Sequence, residues 1–173
     1  MRRRNTLLAA AAAALMALAP TAGSAQAAKP GTGATRMQEG RYLIVSENPE
    51  VGKLAFAPFT VPVFPPVFFI VGSHEKDLRE QWTVTPAGHG AFTINSTTHP
   101  GASWSRRGRD IVASEASRSQ FAIEPAGGGT YRIHAPDEDA VATLNSAGRE
   151  QLHVEPANGS SSQRWRFVRV GGE

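Results

Sequence analysis

Five histidines, an acidic triplet, a basic tetrapeptide and a proline-rich apolar stretch are the parts of this chain with chemistry to offer. His74, His89, His99, His134 and His153 stand singly, without the paired spacing of a metal-binding helix or the glycine-flanked serine of a nucleophile elbow. They read as polar surface positions in turns and at strand ends. Asp137, Glu138 and Asp139 lack the alternating oxygen ligands of a calcium loop and read as a solvated loop tip. Zero cysteines leave no thiolate for catalysis, redox exchange or metal binding, and no disulfide. These residues carry no reaction: no enzyme, no metal and no cofactor is expected, and the function must be binding.

Two stretches are candidates for that binding. Arg106, Arg107, Gly108 and Arg109 form a basic hairpin tip, read either as a solvated turn or as a recognition loop. Between Ala57 and Phe69, Pro58, Pro62, Pro65 and Pro66 interleave with Phe59, Val61, Val63, Phe64, Val67 and Phe68. Proline lacks an N–H and fixes φ near about −65°. Such a segment is extended and stiff, with its conformational entropy restricted before a partner arrives. Pro58, Phe59, Thr60 and Val61 are the candidate contact residues, whereas Val67 to Ile70 read as a strand entering the core. Trp104 reads as core rather than as a platform for a ligand.

The elements that would hold these loops follow from the rest of the chain. Arg2, Arg3 and Arg4 precede an apolar run from Leu7 to Ala19, and Ala25 and Ala27 suit a signal peptidase. Residues 1–27 are therefore expected to be a signal peptide, leaving by the general secretory or the twin-arginine route, and the mature chain is expected outside the cell. The leader takes 3 of the 18 basic residues, so the remaining 15 balance the 15 acidic ones. That balance gives no electrostatic reason to bind nucleic acid or an anionic membrane. Residues 28–38 read as a disordered lead-in, and 39–170 as one domain, with a monomer as the default.

In that domain glycine and proline interrupt the chain every few residues, and no window keeps a helical apolar period. About twelve short alternating or β-branched runs appear instead. They repeat. Gly40, Tyr42, Ile44 recurs as Gly90, Phe92, Ile94 and as Gly129, Tyr131, Ile133. Each is answered downstream, by Gln81, Trp82, Val84, by Gln120, Phe121, Ile123 and by Gln163, Trp165, Phe167. Three units of four strands predict an all-β protein with a β-trefoil fold: a six-stranded barrel with a hairpin cap. An immunoglobulin-like sandwich is the rival, but it gives no reason for a threefold repeat.

Two resemblances bear on function. Gln163, Arg164, Trp165 resembles the Gln-x-Trp signature of ricin B-type sugar-binding trefoils, which makes a carbohydrate-binding module, with a glycan as partner, the alternative reading. From Glu39 to Val170 the chain also resembles the β-trefoil serine protease inhibitors of mushrooms, the cospin-like family, and would be a secreted bacterial relative. That likeness rests on Gly40, Tyr42, Ile44; on Pro65, Pro66, Val67; on Gln81, Trp82, Val84; on Gly90, Phe92, Ile94; and on Trp165 and Phe167. It implies a rigid loop that enters an extracellular serine protease as a poor substrate. The family's trypsin-directed loop lies between the second and third strands of the first unit and presents a basic residue. Here that loop is Ala57 to Pro66, which holds no Lys or Arg. Phe59 would suit a protease pocket for large apolar side chains, and Arg106, Arg107 or Arg109 would serve a trypsin-like enzyme. If the leader reading holds, N-terminal sequencing of the exported protein starts at Ala28 or Lys29, and an exported chain still beginning at Met1 would contradict it.

Overall fold

The computed structural model describes residues 36–57, 65–75, 80–135, 138–144 and 151–171. Twelve strands run through them, and their one helical piece is a 3-10 turn at Ser161–Gln163. The first unit comprises β1 (Gly40–Ser46), β2 (Lys53–Phe56), β3 (Val67–Ser73) and β4 (Trp82–Gly88). The second comprises β5 (Ala91–Ser96), β6 (Ser103–Arg107), β7 (Asp110–Ser114) and β8 (Phe121–Gly127). The third comprises β9 (Thr130–His134), β10 (Ala140–Thr143), β11 (His153–Pro156) and β12 (Trp165–Arg169). The segment around Trp104 that sequence alone marked only weakly is a full strand, β6.

Pairing divides the strands by role. β1 pairs with β12 and β4, β4 with β5, β5 with β8, β8 with β9, and β9 with β12, all antiparallel. Six strands thus close on themselves and leave no open edge among them. The others form the hairpins β2–β3, β6–β7 and β10–β11. These hairpins meet through β3–β7 pairing, β7–β11 pairing and a bridge between Val71 and Gln151. A closed barrel capped by three mutually paired hairpins is a β-trefoil, and the sandwich is excluded.

The repeat has a direct physical meaning in this register. Tyr42 lies opposite Trp82, Phe92 opposite Phe121, and Tyr131 opposite Trp165, so each unit is closed by an aromatic pair between its first and fourth strands. Ile44, Ile94 and Ile133 follow two residues on, and all three are completely buried. Alternation of side chains along a strand sends them to the same inner face.

One feature of the repeat needs correcting. Trp82, Phe121 and Trp165 occupy equivalent places, so the residues two before them are Glu80, Ser119 and Gln163. Gln81 and Gln120 are one residue out of step with Gln163, and they stand half-buried and exposed where Gln163 and Glu80 are buried.

Symmetry is broken inside the core in a compensated way. The indoles of Trp82 and Trp165 donate to the carbonyls of Leu54 and Ala142, at 3.3 and 3.1 Å. In the second unit Phe121 has no N–H, and the equivalent carbonyl, that of Trp104, accepts from the Ser119 amide at 2.9 Å instead. Trp104 is itself completely buried. It lies edge-on to Trp82 and Phe121, with centroids 5.5 and 5.8 Å apart, and supplies bulk where the third unit has Ala142. Its own Nε1 finds no partner among the described residues. Trp104→Ala should therefore cost about 3–5 kcal/mol in urea unfolding; a loss under about 1 kcal/mol would mean that Trp104 is not a core support.

Candidate functional site

The three cap hairpins place three connections in equivalent positions, and the two sequence candidates fall on two of them. They differ in length. β2 ends at Phe56 and β3 begins at Val67, whereas β6 and β7 are joined by Gly108 and Arg109 alone. Pro58, Phe59, Thr60 and Val61 lie outside the described residues, but both arms of their connection are described.

Those arms are tightly held. The Ala57 amide donates to the Phe69 carbonyl at 2.9 Å, continuing the register in which Phe56 faces Ile70. On the other side Val67, Phe68 and Phe69 pair with Ser114, Ala113 and Val112 of β7, so Val67 to Ile70 form the strand the sequence implied. The rings of Phe56 and Phe68 are 5.0 Å apart, and Phe56 also meets Trp82 at 5.3 Å. His99 completes the group, 4.7 Å from Phe56 and 4.5 Å from Phe68.

A polar chain behind the rings orients His99. Its Nδ1 lies 3.0 Å from the Thr98 hydroxyl, and that hydroxyl donates to the carboxylate of Glu80. Glu80 is buried and also accepts from Ser96 Oγ at 3.4 Å.

Solvated surface is therefore the wrong description of His99, and His134 and His153 are likewise half-buried, on strands. His74 and His89 are exposed as expected. Sequence reading had no means of finding the group, because Phe56, Phe68, Glu80 and His99 are brought together only by the pairing of strands.

At the second candidate, Arg107 pairs with Asp110 across the hairpin tip. Gly108 has φ +63° while Arg109 keeps an ordinary negative φ, the pattern of a tight type II′ turn with glycine first. Arg106 is tied down: its Nε donates to the Gly108 carbonyl at 2.8 Å and its Nη1 meets Glu138 Oε1 at 2.7 Å. Arg107 is exposed. The side chain of Arg109 is 76 % accessible and reaches only to 3.9 Å from Glu155, whose Oε1 is 3.0 Å from His153 Nε2. A groove of about 480 Å³ runs between Arg106 and Arg109 on one side and Glu138, Asp139 and Glu155 on the other. Its charges largely satisfy one another. Of the acidic triplet, Glu138 and Asp139 are exposed as expected, and Asp137 lies outside the described residues.

The Gln-x-Trp sequence is committed to the fold. Gln163 Nε2 donates to the Pro156 carbonyl and Thr143 Oγ1, at 3.0 and 3.2 Å, and its Oε1 accepts the Asn158 amide at 2.8 Å. Trp165 is completely buried. Among the described residues the one large apolar side chain left exposed is Val168, and no aromatic is fully exposed. A smaller groove, about 240 Å³, is lined by Ser103, Glu115, Ser117 and Arg118 and likewise has no aromatic wall. No group of three His, Asp or Glu among the described residues could hold a metal.

With this geometry the chain can be set beside known proteins. No family model and no curated protein matches it. Solved structures do. A proteinase inhibitor from Coprinopsis cinerea is 14% identical, with a TM-score of 0.62, over 78% of this chain and 99% of that one. A ricin B-like lectin of Macrolepiota procera, in complex with lactose, is 18% identical, with a TM-score of 0.57, over 79% of this chain and all (100%) of that one. ThreeFoil, a designed three-fold symmetric protein, is 18% identical, with a TM-score of 0.58, over 76% and 99%. The protein is a β-trefoil, a fold shared by inhibitors and lectins.

The hairpin tip gives a titration test. The hydrogen bond from Arg106, reinforced by its positive charge, holds the Glu138 carboxyl below the usual carboxylate range. A lowered folded-state value means that the pair stabilises the fold above the carboxylate's unfolded value and stops doing so as pH falls through the lowered one. In an NMR titration Glu138 should move up toward the ordinary range in Arg106→Ala; an unchanged midpoint would show that the two side chains do not pair in solution.

Proposed function

We propose that the protein is a secreted inhibitor of extracellular serine proteases, acting through a rigid, substrate-like loop, with residues 57–66 as that loop and Phe59 as the side chain that fills the protease pocket. The observation that carries this reading is the clamped stem: one amide-to-carbonyl bond and a four-ring aromatic group hold the two arms together. A loop that enters a protease cleft without being efficiently cut must be preorganised, because each residue ordered on binding costs affinity. Four prolines fall within residues 57–66, each fixing φ near about −65°, and the stem holds the two arms together.

Connection length favours this loop over the basic one. Substrate-like docking lays several consecutive extended residues along the cleft, and the two-residue turn at Gly108 and Arg109 has no such run to offer. Arg106 is moreover held by Glu138. Arg107 and Arg109 remain exposed and are left as auxiliary contacts. The shared fold of the Coprinopsis inhibitor is consistent with this reading. The lactose-bound lectin has the same fold, but the Gln163 and Trp165 side chains that prompted a glycan reading serve the interior here. Binding needs no cofactor in either case.

Titrating the mature chain into chymotrypsin-, trypsin- and subtilisin-like enzymes tests the proposal. Stoichiometric inhibition of an enzyme with an apolar pocket is expected. Phe59→Gly should weaken it more than about thirtyfold, the size of a hot-spot loss of about 2 kcal/mol, while the Arg107→Ala, Arg109→Ala double variant stays within about threefold of the parent. Inhibition of trypsin alone, lost in the double variant, would move the site to the hairpin tip. Three unhindered enzymes and a positive glycan array would end the inhibitor reading.

A further inference from the structure

His99 belongs to the second unit, yet it sits against the stem of a first-unit connection. Its ring is edge-on to Phe56, at an interplanar angle of 88°, and tilted 50° to Phe68. Phe56 is the last residue of β2 and Phe68 the second of β3, so a single imidazole touches both arms. The ring cannot turn freely. Its Nδ1 lies 3.0 Å from the Thr98 hydroxyl, its backbone amide donates to Ser96 Oγ at 3.0 Å, and its carbonyl accepts from the Ala102 amide at 3.1 Å. Thr98 is in turn anchored on Glu80, a buried carboxylate at the foot of β4. A buried carboxylate needs strong donors, and two hydroxyls supply them.

We propose that His99 is a positioning residue for the inhibitory loop: a strut, fixed through Thr98 to Glu80, that holds the Phe56 and Phe68 arms together and so slows release of a bound protease. The inference rests on the inhibitor reading for its consequence, but the strut itself is a property of the free protein. Rigidity at the base of the loop acts mainly on dissociation, since association of related complexes varies little. It also keeps the Ala57 amide closed on Phe69, because opening that bond requires the two arms to part.

Two variants and two readouts decide the matter. His99→Ala removes the ring, and Thr98→Val unties the ring from Glu80 while keeping its neighbour's shape. Residue-resolved hydrogen exchange on the free protein should show the Ala57 amide exchanging about tenfold or more faster in His99→Ala, and faster to a smaller extent in Thr98→Val, with the amides of Ile94 and Ile133 near their original rates. Dissociation of the inhibited protease should quicken in the same order. Unchanged exchange at Ala57 would overturn the strut, as would an equal acceleration at Ile94 and Ile133, which would mark general destabilisation. Faster exchange with an unchanged dissociation rate would overturn its part in inhibition. If the parent protein inhibits nothing, the inhibitor reading fails by that result alone, and the exchange measurement still decides the strut.

Discussion

Everything else in this molecule depends on the strand register that sets one aromatic residue opposite another across the seam between the first and fourth strand of each unit. Tyr42 lies opposite Trp82, Phe92 opposite Phe121 and Tyr131 opposite Trp165, and Phe167 of β12 packs edge-on against both Tyr42 and Tyr131, at 5.7 and 5.4 Å. Shifting that register by a single residue would turn these rings, and the buried isoleucines two places on, toward solvent. A chain with no cysteine has no covalent means of closing its sheet. The apolar surface gathered at these seams, at roughly 25 cal/mol per Å² buried, does that work instead. The Tyr42 hydroxyl donates to the Gln38 carbonyl at 2.9 Å, and burial pushes its phenol up, against the opposing effect of Arg169.

A threefold core leaves its connections free to differ, and the differences are where function can enter. The second unit spends its β6–β7 connection on a minimal turn stiffened by Arg106 and Glu138. The first unit has a long connection instead and clamps its base with rings. Part of that clamp is borrowed from the second unit, through His99 and the Ser96 and Thr98 hydroxyls that surround Glu80. Asymmetry at Trp104 belongs to the same region: its ring lies against Trp82, and Trp82 lies against Phe56. The arms of the long connection thus join a run of rings that includes the buried Trp82 and Trp104.

The fold was largely legible in the sequence because it is written as a repeat. Gly, aromatic and isoleucine at a spacing of two is both a strand signal and a threefold count; eleven strands overlap the short runs, and the twelfth is the weakly marked segment around Trp104. What misled was the glutamine. Gln81 and Gln120 sit beside the closing aromatics and suggest a shared motif with Gln163, yet a strand alternates faces, and one residue of offset puts their side chains on the other side. The polar partners that replace them, Glu80 and Ser119, are chemically unlike Gln163 and so invisible to a motif search. The basic hairpin tip was legible for the opposite reason, since Arg106 to Arg109 is local and a glycine marks its turn. His99 was not legible at all: its partners are brought to it by strand pairing from 19 to 43 positions away, and an isolated histidine before a Pro-Gly turn looks like surface.

The proposed inhibition rests on the connection between β2 and β3, whose two arms share an aromatic base. A crystal structure of the mature chain bound to a chymotrypsin-like enzyme tests that most directly. The account predicts residues 57–66 in the cleft, the Phe59 ring in the specificity pocket, and the Phe56, Phe68 and His99 rings in the arrangement they have in the free protein. A complex in which the enzyme contacts only the Arg107 and Arg109 tip, or in which those three rings have separated, would contradict it.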